Sequence, residues 1–277
     1  MKKNVFMVCM ALLAVLASCN HDEPEVVKDD QFVFTVNGVS FSMVEVKGGT
    51  FMMGFPGEVD SDLNGFEKMI CGQPAHEETI NDFLIGQTEV TQELWIAVMG
   101  ENPSYFSSRN GYTDNLQRPV EYVSDRQCLE FIEKLNELTG CEFRLPTVAE
   151  WEYAARGGRY SGGYDFAGSN NIEDVAWHLY NSAYDEDEIS ADEGFSLSGP
   201  MTVASLAPNE LGLYDMSGNV WEWCAGSFRM VLGETYRYIK GGSWDNEPKC
   251  CRTYYGSAML SGKYNSWSNN VGLRLAL

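Results

Sequence analysis

The 277-residue chain carries 40 acidic against 19 basic residues, a net charge of −21. Phosphate backbones are held by basic surfaces, so this balance argues against a nucleic-acid partner. It favours solubility and supplies oxygen ligands for hard cations. Only three histidines occur, His21, His76 and His178, too scattered for zinc or a histidine-rich iron centre, and there is no Cys-x-x-Cys pair.

Lys2 and Lys3 precede the uncharged apolar run Val5–Ala17. A bilayer takes about 20 apolar residues to cross, so this run reads as the apolar segment of a secretory signal. It closes on Leu16-Ala17-Ser18-Cys19, which resembles a bacterial lipobox and implies that Cys19 is diacylated and becomes the new N-terminus. Residues 1–18 are therefore expected to be a lipoprotein signal peptide, and 19–31 the lipidated cysteine with an acidic tether. Asn20 to Glu25 and Lys28-Asp29-Asp30 offer little that could pack, so the tether stays solvated. Acidic residues just after the cysteine resemble the surface-export signal of Bacteroidetes-like lipoproteins. The expected location is the outer membrane, at the cell surface or the periplasmic face, with an envelope protein or extracellular ligand as partner.

Residues 32–277 are expected to form one large domain. Phe32–Val36 and Phe41–Val46 flank Asn37-Gly38 and predict a hairpin. The Gly- and Asp-rich stretch 55–78 predicts loop, and Phe83–Gly86 a short strand. Three helices are expected. Thr91 caps the first, with Leu94, Trp95 and Val98 inward and Gly100 as its stop. Ser124 and Gln127 make a capping box for the second, where Cys128, Phe131, Ile132, Leu135 and Leu138 recur at helical spacing before Gly140. Thr147 and Glu150 cap the third, which runs through Trp151 to Gly157. From 160 to 210 periodicity fades, and the acidic residues within 185–193 read as a solvated loop. Short aromatic strands separated by Gly turns follow. The fold class is α+β, loop-rich, with irregular connections. Cys71, Cys128, Cys141, Cys224, Cys250 and Cys251 allow 15 pairings, and Cys128 and Cys224 sit in apolar contexts that suit free thiols.

An ordered set of segments carries a family resemblance. It comprises Gly86-Gln87-Thr88-Glu89-Val90-Thr91, Arg144-Leu145-Pro146-Thr147 leading to Glu150–Gly158, Gly212–Trp223, Gly241-Gly242-Ser243-Trp244 and Gly272-Leu273-Arg274-Leu275. In this order and spacing the chain resembles the formylglycine-generating-enzyme (sulfatase-modifying factor) family from about Phe41 to Leu277. The resemblance implies a C-type-lectin-like fold of a loop-rich kind. It also implies calcium at Asp215, Gly218, Val220 and Glu222, two carboxylates and two carbonyls that could wrap a hard cation.

The family's enzymes convert a sulfatase cysteine to formylglycine with copper(I) held by two cysteines, two and seven positions after the Trp of Gly-Gly-Ser-Trp. Here those positions are Asn246 and Cys251. Asn is a poor copper(I) ligand, and Cys250 adjoins Cys251 and would point elsewhere, so the oxidase chemistry is in doubt and Cys251 is catalytic only if the chain is an enzyme. A binding or assembly module is the preferred reading. Tyr254, Tyr255, Tyr264, Asn265, Trp267 and Asn269 are its candidate ligand-binding residues, of the types that make adaptable recognition surfaces. This region also resembles the variable C-terminal part of diversity-generating retroelement targets, a third reading.

Overall fold

A computed structural model describes residues 31–55, 57, 74–183, 198–230, 233–261 and 268–277. The expected signal peptide, Cys19 and its tether to residue 30, Cys71, the acidic stretch 185–193, and Tyr264, Asn265 and Trp267 lie outside the described residues.

The predicted hairpin is β1 (Gln31–Val36) and β2 (Val39–Val46), closed where Val36 pairs with Val39. Asn37 and Gly38 adopt φ of 47° and 89°, the left-handed pair that lets a two-residue turn follow the strand twist. Next come β3 (Gly49–Met53), β4 (His76–Ile80) and β5 (Phe83–Gly86). β5 extends the hairpin sheet alongside β2, while β3 and β4 pair antiparallel. The expectation of loop across 55–78 is corrected at His76, Glu77 and Glu78, which are strand. Their polar sequence hides the strand because all or part of each side chain faces solvent, and pairing with β3 supplies what propensity does not.

Three α-helices occur among the described residues: α1 (Gln92–Met99), α2 (Asp125–Thr139) and α3 (Val148–Ala155). Each start uses the expected cap. Thr91 accepts from Leu94 N, and the Ser124–Gln127 and Thr147–Glu150 capping boxes are both complete. Trp95 of α1 stacks on Phe131 of α2 at 4.8 Å between ring centroids. Leu138, expected inward, is instead 48% exposed. The buried stripe ends at Leu135, and Thr139 takes the last inward position by donating its hydroxyl to the Leu135 carbonyl.

The C-terminal half holds β6 (Ala176–Trp177), β7 (Ser217–Gly218), β8 (Trp221–Arg229), β9 (Thr235–Lys240), β10 (Gly256–Leu260) and β11 (Val271–Gly272). β6 and β7 pair in parallel, and the larger sheet runs β10-β9-β8-β11. One apolar core joins α1, α2, the hairpin and the chain's end, and a second packs α3 on β2, β5 and β8. The last residues stitch these parts together. Val90 N bonds to Leu273 O, Gly86 N to Leu275 O, and Arg144 exchanges bonds with Ala276. Gly272 permits that close approach, since a Cβ there would lie 2.3 Å from the Val120 carbonyl oxygen. This threading carries Arg274 into the interior.

Candidate functional site

The turn from Asp215 to Glu222 needs left-handed backbone at Asp215, Gly218 and Asn219, with φ of 57°, 79° and 56°. Gly218 is required there, because a Cβ would meet the Trp177 carbonyl oxygen at 2.2 Å. The turn aims three polar groups inward. Asn219 donates its amide to Glu89 Oε2 at 2.9 Å, and Val220 N donates to Glu89 Oε1 at 3.2 Å. Ala204 N donates to Asp215 Oδ2 at 2.7 Å. Glu222, fully buried on β8, accepts from Trp151 Nε1 at 2.6 Å and from Arg274 Nε and Nη2 at 3.0 and 2.7 Å. Arg274 also donates through Nη1 to the Gly86 carbonyl and through Nη2 to the Tyr214 carbonyl.

Three buried carboxylates, Glu89, Asp215 and Glu222, lie around one guanidinium that bonds only Glu222 of the three, so among these four groups negative charge is in surplus. Burial, with Asp215 and Glu222 nearby, holds the Glu89 carboxyl well above its usual range. Burial likewise pushes Asp215 up to about 6. The surplus negative charge fits a hard cation or a retained proton. Glu222, an expected calcium ligand, already has both oxygens on Arg274 and Trp151. Among the described residues no three His, Cys, Asp or Glu side chains converge as a ready metal cage. Cation binding would draw on Asp215 and the Gly218 and Val220 carbonyls beside Glu222.

The copper position is built differently. Ser243 donates its hydroxyl to Asn246 Oδ1 at 2.5 Å and accepts from Asn270 Nδ2 at 3.2 Å, which locks the Asn246 amide in place. Cys251 is wholly buried, and burial pushes its thiol far up, so the thiolate that copper(I) needs is disfavoured. Cys251 packs with Phe166 and Val175, whereas Cys250 packs against the main core, so the neighbouring thiols face different surroundings. These residues do not fit a two-thiolate copper centre.

The described recognition residues are dispersed. Tyr255 is buried, 5% exposed, and packs near Trp221 in the main cluster. Tyr254 is also buried, edge-on to Phe55. Asn269, half-buried, accepts from Trp244 Nε1 through its carbonyl. Sequence reasoning assigned no role to Glu89, Trp151 or Arg274 as partners. For Arg274 the one signal is a charged residue set within an apolar segment, Leu273-Arg274-Leu275.

The chain matches the sulfatase-modifying factor enzyme 1-like domain over residues 35–277. It is 30% identical to the "Chaperone protein LppX" of Paenibacillus barcinonensis across 99% of both chains. It is 31% identical to the formylglycine-generating enzyme of Thermomonospora curvata, over 66% of this chain and 63% of that one. Among solved structures it is similar to Treponema denticola variable protein 1, with a TM-score of 0.69 and 28% identity, over 89% of this chain and 98% of the other.

Proposed function

The chain belongs to the sulfatase-modifying factor family, and we propose that this member is a non-catalytic binding or assembly module held at the cell envelope through Cys19. The observation that carries the reading is the copper position, where the Asn246 amide is locked onto Ser243 and Cys251 is a buried thiol. A fold that keeps the family's scaffold but not its two thiolates retains loops on a rigid core, which suits recognition. The end-to-end likeness to a protein named as a chaperone supports a polypeptide partner in the envelope or outside the cell. Calcium belongs to this reading as a structural ion, which Asp215 and the Gly218 and Val220 carbonyls would hold beside the Arg274-bound Glu222, balancing the buried negative charge.

The test is direct. Purified protein is loaded with copper(I) and offered oxygen and a cysteine-containing sulfatase peptide, with mass spectrometry as the readout. No aldehyde product is expected; formylglycine in the peptide overturns the reading in favour of the oxidase. A second reading rests on the likeness to a variable protein. It requires a near-repeat of the final coding segment beside a reverse-transcriptase gene, and a genome without both removes it.

A further inference from the structure

Lys240, at the end of β9, pairs in register with Glu222 of β8, and its ammonium lies over the Trp151 ring at 5.5 Å from the centroid. Its side chain is 3% exposed, and among the described residues its one hydrogen bond goes to Glu152 Oε2 at 3.1 Å. A lysine has three N–H donors, and buried donors are ordinarily satisfied. Lys240 lines a cavity of about 220 Å³ together with Met53, Val148, Ile239 and Tyr254, and the Lys240–Glu152 pair is its charged part.

The charge count there is uneven. Glu152 Oε1 accepts from Arg156 Nε and Nη2 at 3.0 and 2.8 Å and from Gly54 N at 2.8 Å, while Oε2 faces Lys240. One carboxylate therefore serves two cations. Among Glu152, Arg156 and Lys240 the cations outnumber the carboxylate by one, with Glu222 opposite Lys240 on β8. Arg156 also lies over the Tyr254 ring at 5.8 Å, which fixes one wall. Apolar walls ending in an under-paired ammonium match a small ligand with an apolar body and one acid group.

We propose that this cavity binds a monocarboxylate bearing one compact apolar group, with the carboxylate on Lys240 and the apolar body against Met53, Val148, Ile239 and Tyr254. The same chemistry occurs in a free small acid and at a peptide C-terminus ending in an apolar residue. The proposal stands on the cavity alone and is independent of whether the chain is an oxidase.

Isothermal titration with 3-phenylpropionate and with 3-phenylpropionamide tests it, alongside a short peptide ending in phenylalanine with free or amidated terminus. Saturable binding of at least one free acid is expected, with the matching amide weaker by at least about tenfold. Binding of phenylpropionate alone assigns a free acid, and of the peptide alone a chain terminus; both support the cavity. Met53→Trp fills the cavity without touching an ion pair and should abolish binding, and Lys240→Met should do the same where circular dichroism shows a native fold. Absence of binding by both acids, equal binding of acid and amide, or unchanged binding by Met53→Trp overturns the proposal.

Discussion

Arg274 grips both carboxylate oxygens of Glu222, a residue 52 positions earlier, while Trp151 caps the same group from α3. Three segments distant in sequence therefore meet at one fully buried ion pair. Breaking such a pair leaves an uncompensated charge in the interior, which costs roughly 3–5 kcal/mol. Arg274→Met is expected to lower stability by that amount in chemical denaturation. Adding Glu222→Gln should recover part of the loss, because the stranded charge is then gone. Equal losses in the single and double variants would mean that packing, not charge, is at stake.

The proposed calcium would balance the negative surplus of Glu89, Asp215 and Glu222 over Arg274. Adding calcium to chelator-treated protein near pH 7 should raise Tm, since a ligand of the native state stabilises by mass action. Asp215→Ala should remove the response. A wild-type melt indifferent to calcium and to chelator would assign the balance to protons on the carboxyls instead.

Glu121 gives a pH dependence. Its carboxylate is buried, accepting from Phe106 N at 2.9 Å and Tyr105 N at 3.2 Å, and burial raises it from 4.5 to about 8. The folded protein therefore holds a proton there that the unfolded chain releases above pH 4.5. This stability is present at low pH and lost as pH rises from about 4.5 to about 8, at up to roughly 1.4 kcal/mol per pH unit. Glu89 and Asp215 shift in the same direction, so the comparison is with Glu121→Gln. That variant should flatten the slope of denaturation free energy against pH; an unchanged slope would place the titration elsewhere.

The proposed lipidation of Cys19 is tested by labelling cells with radioactive palmitate. Label is expected in the full-length protein and absent from Cys19→Ser, which should also leave the membrane fraction. A labelled Cys19→Ser variant would relocate the modification.

Thr147 offers a local check on the scaffold. Its side chain caps α3, whose Trp151 reaches Glu222. Thr147→Ala should cost about 1 kcal/mol. Calorimetry that shows no change would mean that the Arg144–Glu150 pair fixes the helix start unaided.

Much of this was legible from local pattern. Caps at Thr91, Ser124 and Thr147 depend on a few adjacent residues, as does the Asn37-Gly38 turn, so sequence alone placed three helices and a hairpin. The ordered motifs gave the family, and the residue at position 246 told against a copper pair. What sequence could not supply was which charges meet. Arg274 meets Glu222, Glu89 joins Asp215, and Lys240 ends in a cavity only because the C-terminal strand threads between β5 and Arg144 and because β9 packs on α3. Burial decided the rest. Tyr255, read as a recognition residue, is buried in the main cluster, while His76–Glu78 looked like loop and became strand. Side-chain type sets what a residue can do, but its desolvation and partners come from segments far along the chain, and only the tertiary structure assembles those.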